Sequence, residues 1–474
     1  MGLYWSAVKT LGALAWMSKP LHVVIMAAGE GTRMKSALPK VLHTIGGRPM
    51  LEHMLETVAA LKPAAVHVVV GNGADEVRAA FSDWRVNWVL QSERRGTGHA
   101  VAQAMVHIPD GAAVLILPGD HPLIPSPVLT KLTDRRDLPL AVLTMEPDDP
   151  AAYGRIIRDE ADAVVAVVEE KDASPEQREI REVNTSIMLA DAANLRRWLD
   201  GLDCDNAKQE YYLTGIFHLA HAEEIPIDAV LAPDAADLEG ANDRRQLAEL
   251  ERRYRARRAG ELMDNGVHLL DPSRTDIRGR VETGSDVRID VNVVLEGDIR
   301  IGDGVHLGPG CVLRDCDLAA GTRVLAYCVL EGVTTTGPCD IGPFARLRPG
   351  TVLSAGCRIG NFVEAKNARL GAGSKANHLT YLGDAEIGSG VNVGAGTITC
   401  NYDGANKHPT IIEDGVFIGS NTALVAPVTI ERGATIGAGS TISKDAPAEA
   451  LTVSRARQTT VKGWKRPRKD KDKK

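Results

Sequence analysis

From about Ile289 to Ile442 the apolar positions recur every six residues. An aliphatic residue is followed by Gly, two spacers and a small or β-branched residue, as in IGDGVH (301–306), LGPGCV (307–312), IGSGVN (387–392), VGAGTI (393–398) and IGAGST (436–441). A period of six cannot keep one face of a 3.6-residue helix apolar, and each Gly would cost about 1 kcal/mol in a helix interior. The pattern predicts a parallel β-helix. Each phrase supplies a short strand and a turn, the aliphatic residue points inward, Gly takes the bend, and coils stack about 4.8 Å apart.

Upstream the texture is different. Between residues 21 and 240, β-rich apolar runs (His22 to Ala27, Val66 to Val70, Trp88 to Gln91, Ala113 to Leu117, Leu140 to Met145) alternate with helical stretches such as Met50 to Leu61 and Gly98 to Ile108. This alternation predicts an α/β domain with a largely parallel, Rossmann-like sheet. Between the two textures, Leu247, Leu250, Tyr254 and Leu262 recur at roughly helical spacing among charges, which predicts a connecting helix with a solvated Arg-rich face.

At 474 residues the chain exceeds what one core supports, so two main domains are expected. We divide it into an N-terminal extension (1–16), an α/β domain (17–242), a linker helix (243–266), a β-helix (267–450) and a basic C-terminal tail (451–474). A net charge of −7 gives the body no electrostatic reason to bind nucleic acid. The seven Cys are scattered without a CxxC pair, which suits buried or idle thiols in a reducing, cytoplasmic setting. No apolar run reaches the roughly 18 residues of a membrane span.

Candidate chemistry lies where the patterns break. The loop MAAGEGTRMKSALPKVL (26–42) follows the first strand, with Gly29 and Gly31 freeing the backbone and Arg33 and Lys40 supplying cations for phosphate. It is neither a dinucleotide fingerprint, because Met34 stands where a third Gly belongs, nor a P-loop, because GK[ST] is missing. In LILPGDHPLI (115–124), Asp120 ends a strand where a carboxylate can hold Mg²⁺ against phosphate oxygens. Within the hexads, NFVEAKNARLGAGSKANHLTY (361–381) and CNYDGANKHPTI (400–411) leave the period and collect Glu364, Lys366, His378, Tyr381, Asn401, Tyr402 and Lys407. Such departures place ligand-binding side chains on one face of a stacked repeat.

The order of loop 26–42, Gln91 with GTGHA, PGD, YGR, EEKDA, NTS and EGAND, followed by hexads, is similar to sugar-1-phosphate nucleotidyltransferases. Over nearly its whole length the chain resembles the bifunctional family that combines N-acetylglucosamine-1-phosphate uridyltransferase with glucosamine-1-phosphate N-acetyltransferase. The resemblance implies a left-handed β-helix, a cytoplasmic homotrimer without nucleic-acid or membrane partners, and supply of UDP-N-acetylglucosamine for peptidoglycan and lipopolysaccharide. It implies that Ala27, Ala28 and Gly29 hold the nucleotide, Gln91, Gly96 and Thr97 read the uracil, and Arg33 and Lys40 grip the phosphates of UTP. Gly154, Glu169, Asn184 and Tyr211 to Thr214 would line the sugar pocket, and Asp120 and Asn242 would bind Mg²⁺.

In the other half the resemblance implies His378 as general base, oriented by Glu364, for acetyl transfer from acetyl-CoA. Arg348, Lys366, Tyr381, Asn392 and Asn401 would hold glucosamine 1-phosphate. Ala395, Asn401, Tyr402, Ser420, Ala438 and Arg455 would contact acetyl-CoA. The chain departs from the family pattern at Glu30, where Lys is usual, at Pro118, where Tyr is frequent, and at Ser186, where the NTG motif reads NTS. Two other readings compete: a nucleotidyltransferase whose β-helix only assembles subunits, and a non-catalytic relative. The first leaves His378, Lys366 and Tyr381 without a task, and the second has no need of Asp120, Arg33 or Lys40.

Overall fold

The computed structural model describes residues 19–71 and 73–466. The expected extension 1–16 and the end of the basic tail lie outside them. Contacts divide the chain into two compact units, one ending at Tyr254 and the other beginning at Arg255.

The first unit is built on a nine-stranded sheet. Its strands are β1 (Leu21–Ala27), β2 (Ala65–Val70), β3 (Asn87–Leu90), β4 (Ala113–Pro118), β5 (Leu140–Met145), β6 (Arg155–Arg158), β7 (Val164–Val168), β8 (Val183–Asp191) and β9 (Ile227–Leu231). The order is β9-β5-β8-β4-β1-β2-β3, with β6 paired to β8 and β7. The β1/β2, β2/β3, β1/β4 and β5/β9 pairs are parallel, while β8 runs antiparallel to β4 and β5. The central predicted runs fall on strands that are covered on both faces: Val23, Ile25, Leu115, Leu117, Ala141 and Leu143 pack on one side and Val24, Val114, Ile116, Val142 and Met188 on the other. Such two-sided burial is what makes a strand read as a continuous apolar run. The predicted helices are α1 (Met50–Ala59) and α2 (Thr97–Met105).

A helix runs over Arg244–Asp264. Its arginines are engaged by acids: Arg252 and Arg253 pair with Glu249, Arg253 also with Glu239, and Arg258 with Glu261.

The second unit is a solenoid of 24 strands. Residues pair in parallel with those 18 positions on, as Thr275 with Val293, or 17 on, as Val312 with Val329. Three hexads therefore complete one coil. The aliphatic leaders, among them Ile289, Leu295, Leu307, Leu330, Ile341, Leu347 and Leu353, are all fully buried along the axis. The two glycines of a phrase serve different ends. Gly304 takes φ +62, the left-handed region that disfavours a side chain, whereas a Cβ on Gly302 would lie 2.5 Å from the backbone nitrogen of Ala320 in the next coil. Hydroxyls and thiols at the corners turn inward and cap carbonyls: Thr351 bonds Arg348 O at 2.7 Å, Ser374 bonds Gly388 O at 2.6 Å and Cys339 bonds Ser354 O at 3.2 Å. These buried corner groups thus satisfy their hydrogen-bonding capacity within the backbone of the stack.

The insertion at 400–411 leaves the coil without breaking it. Across it the pairing offset is 25 on all three faces (Asn392 with Phe417, Ile398 with Ala423, Ala385 with Thr410), seven more than 18. The extra residues fold outward, with Tyr402 bridged to Lys407.

Candidate active sites

A cavity of about 730 Å³ opens in the first unit. Its walls come from distant segments: Ala27, Ala28 and Gly29 after β1, Lys40, Gln91, Gly96 and Thr97 at the start of α2, Asp120 after β4, Asn184 on β8, and Asn242. Ligand clefts of open α/β sheets lie at such strand ends. Gly96 precedes α2 at φ +110, and a Cβ there would sit 2.5 Å from Tyr211 O. That close approach lets Gly98 N donate to Tyr211 O and Leu213 N to Thr97 Oγ1, which fixes the wall opposite Gln91. The buried Gln91 amide donates to Gly96 O at 3.1 Å.

At the floor, Lys40 Nζ contacts Asp120 Oδ2 and donates to Asn242 Oδ1 at 2.8 Å. Burial works against the Asp120 carboxylate, but the neighbouring His121 ring and Lys40 ammonium outweigh it and hold its pKa below the usual value. His121 itself is pushed down by burial, so near neutral pH the cation that faces Asp120 is Lys40. Gly240 makes room for the His121 ring, since a Cβ would meet Cδ2 at 2.3 Å. Glu30, also in the wall, is ion-paired with Arg94. Sequence reasoning did not find Arg94, which sits in the polar run between Gln91 and Gly96.

Glu169 and Thr214 line a second cavity of about 290 Å³ and are joined through Thr214 Oγ1 to Glu169 Oε1 at 3.1 Å. Burial raises the Glu169 carboxyl above its ordinary value. Gly154 belongs to this corner: its carbonyl accepts Asn184 N at 2.8 Å, and a Cβ on it would stand 3.6 Å from Glu169 Oε1. Arg33 does not join Lys40. It lines a third cavity of about 340 Å³ with Glu169, Lys171, Lys208 and Tyr212.

In the solenoid, the two longest strands, β10 (Arg358–Leu370) and β11 (Lys375–Ile387), lie side by side in parallel. Their register sets Asn361 against His378, Glu364 against Tyr381 and Lys366 against Gly383. Gly383 is the floor of a polar cluster, for a Cβ there would touch Tyr381 Oη at 2.4 Å and Asn401 Nδ2 at 2.7 Å. Asp384 accepts from Asn401 at 2.5 Å and from Asn367 at 2.7 Å. Lys407, reached through the insertion, lowers the pKa of Lys366 by its contact and like charge, and Arg348 adds to this. Asp384, which feels Lys407 and Lys366, and Glu364, paired with Arg348, offset two of the three cations, and the positive charge left over suits an anion. Glu364 accepts from Arg348 Nη1 at 3.0 Å, and the group at the imidazole is instead Asn361, whose Oδ1 lies 3.0 Å from His378 Nδ1.

His378, Ala395, Ser420 and Ala438 occupy the same slot of successive coils, just before the left-handed corner residues Leu379, Gly396, Asn421 and Gly439. They therefore form a column along one edge of the solenoid, tied by Gly396 N to Leu379 O, Asn421 N to Ala395 O and Gly439 N to Ser420 O. Arg455 closes the column by donating to Ala438 O at 2.8 Å. Asn392 stands on the preceding face between Lys375 and Phe417, and exposed Tyr402 bonds Gly404 O at 2.6 Å.

A sheet domain with a phosphate-type loop, joined to a hexad solenoid with an exposed imidazole and a cationic cluster, defines a transferase with two separate sites. Residues 23–200 match the MobA-like NTP transferase domain, and 280–315 and 409–444 match the bacterial transferase hexapeptide (six repeats). The Bifunctional protein GlmU of Alkalilimnicola ehrlichii is 55% identical over 95% of this chain and 97% of its own. That of Xanthomonas axonopodis pv. citri is 57% identical over 96% and 99%. The chain belongs to the GlmU family, and it is a bifunctional enzyme, uridyltransferase and acetyltransferase. Among the described residues no helix is long and apolar enough to cross a membrane.

Proposed function

We propose that the solenoid edge acetylates glucosamine 1-phosphate from acetyl-CoA, and that the first unit then joins N-acetylglucosamine 1-phosphate to the α-phosphorus of UTP with release of pyrophosphate. What carries the reading is the presence of two clusters of different chemistry, a nucleotide-sized cavity around Lys40 in the first unit, and in the solenoid an exposed imidazole together with a group of three cations.

In acetyl transfer, Lys366, Lys407 and Arg348 hold the sugar phosphate, and Tyr381 and Asn401 bond its hydroxyls. The amine nitrogen attacks the thioester carbonyl, the C–N bond forms, His378 takes the amine proton, the C–S bond breaks, and the leaving coenzyme A thiolate receives that proton from His378 to become the thiol. The column of Ala395, Ser420 and Ala438, small side chains ending at Arg455, offers a track for the coenzyme. Acetylation comes first, and the product is released and rebinds at the uridyltransferase site.

In uridyl transfer, Gln91, Gly96 and Thr97 hold the base, Lys40 and the backbone of Ala27 to Gly29 the phosphates, and Asn184, Gly154, Glu169 and Thr214 the sugar. Asp120 and Asn242 present two oxygens to one cationic atom, Lys40 Nζ, a donor set that suits Mg²⁺, which takes few protein oxygens and shares those of phosphate. Mg²⁺ bound there would neutralise phosphate charge. The side chains themselves position the two reactants, which is most of what phosphoryl-group transfer asks of a protein.

The assembly we infer is a homotrimer through the solenoid. Tyr327, Phe344, Phe362 and Leu379, all exposed, stand at left-handed φ of 57, 54, 57 and 47 degrees where other coils use Gly. The three rings stack at 5.5 and 5.6 Å. Bulky residues at such φ cost about 1–2 kcal/mol each, and an apolar ladder kept at that cost fits burial against another copy.

The test supplies glucosamine 1-phosphate, acetyl-CoA, UTP and Mg²⁺ to the pure protein, where free thiol and pyrophosphate are both expected. His378→Ala should abolish thiol release while uridyl transfer to added N-acetylglucosamine 1-phosphate continues. Equal loss of both activities would overturn the assignment.

A further inference from the structure

We infer that Asn361 is the positioning residue that fixes the tautomer of His378, so that Nε2 faces the reaction as the basic nitrogen; the inference rests on the acetyl-transfer reading above. A neutral imidazole carries one proton, and which nitrogen holds it is set by the bond the other makes. The Asn361 side-chain oxygen lies 3.0 Å from Nδ1, and an amide oxygen only accepts. Nδ1 therefore donates, and the lone pair is left on Nε2. The backbone makes this pairing durable. Asn361 and His378 are direct partners in the parallel β10/β11 register, each followed by a corner residue in the left-handed region, Phe362 and Leu379. The two side chains thus leave the same edge one coil apart.

Glu364 is otherwise engaged. It belongs to the next face, opposite Tyr381 and Arg346, and its Oε1 accepts from Arg348, a member of the cationic cluster. An amide at the imidazole has a chemical advantage over a carboxylate: it orients the ring without adding a negative charge beside the anionic sugar phosphate.

The experiment compares the native enzyme with Asn361→Leu, which removes the acceptor at similar size, and Asn361→Asp, which restores one. The ¹⁵N spectrum of histidine-labelled enzyme, with His378→Ala identifying the resonance, should show Nδ1–H in the native protein and lose that pattern in Asn361→Leu. The kcat of acetyl transfer should fall roughly tenfold or more in Asn361→Leu, part of the 10²–10⁴ that a general base supplies, with KM for both substrates nearly unchanged. Asn361→Asp should recover most of kcat. Asn361→Leu with native melting temperature, native kcat and an unchanged ring pattern would overturn the inference. So would an active native enzyme whose His378 carries its proton on Nε2. Absence of acetyl transfer from the native enzyme would instead overturn the functional reading beneath it.

Discussion

Acid should destabilise the first unit through one histidine. His67, in the middle of β2 and 1% exposed, stacks against His22 and His107 with ring centroids 5.4 and 6.2 Å away. His22 Nδ1 meets its Nε2 at 3.1 Å. Burial, with His22 and His107 adding to it, lowers the His67 pKa from 6.5 to about 4. The unfolded chain binds a proton below pH 6.5 that the folded ring refuses until about pH 4. Stability is therefore complete above pH 6.5 and is lost as pH falls through this window. At 1.36 kcal/mol per pH unit, moving from pH 6.5 to 5 costs about 2 kcal/mol and the full window about 3 kcal/mol. Burial lowers His22 as well, which acts in the same direction. Urea unfolding followed by the fluorescence of Trp84, Trp88 and Trp198 should show the native unit losing about 2 kcal/mol more than His67→Gln over that interval. The comparison cancels the carboxylates common to both proteins. Parallel stability–pH curves for the two would refute the reasoning.

Three further outcomes are expected. Because Arg94 already neutralises Glu30, Glu30→Gln should free that guanidinium and lower KM for UTP a few-fold, Arg94→Ala should raise it, and steady-state kinetics with both unchanged would show that neither side chain meets the nucleotide. Gly96→Ala, whose methyl would collide with Tyr211 O, should abolish uridyl transfer and spare acetyl transfer when the two are assayed separately. Phe344→Ser, at the centre of the exposed ladder, should shift the mass measured by light scattering from three chains toward one; an unchanged trimer would remove the ladder from the interface.

Strands β1 to β5 were legible to within a residue or so because apolar, largely β-branched residues run unbroken there, whereas β8 and β9 were not read as strands. The short β6/β7 hairpin and the antiparallel course of β8 were not legible either, since strand direction depends on partners distant in sequence. NTS is a case where sequence and geometry explain each other: Ser186 sits at φ +62 within a bulge of β8, with its N–H bonded to Asn184 Oδ1, a conformation that Gly adopts at less cost. The meeting of Lys40 with Asp120 and Asn242, 80 and 202 residues away, has no local signature. Arg33 carries the right charge in the right loop yet faces a different cavity, because its short helical turn (Thr32–Met34) buries Met34 and directs its neighbour elsewhere. Asn361 was within reach, since counting back one coil of 17 from His378 lands on it.

The excursion at 400–411, which adds seven residues to one coil, shows how this architecture separates height from chemistry. Coils on either side keep their partners on all three faces, so the stack never registers the added length. A solenoid couples only nearest neighbours, and a segment that leaves and re-enters at the same corner is invisible to the rest of it. The length and side chains of that outboard loop can therefore change with the tower beneath it unaltered.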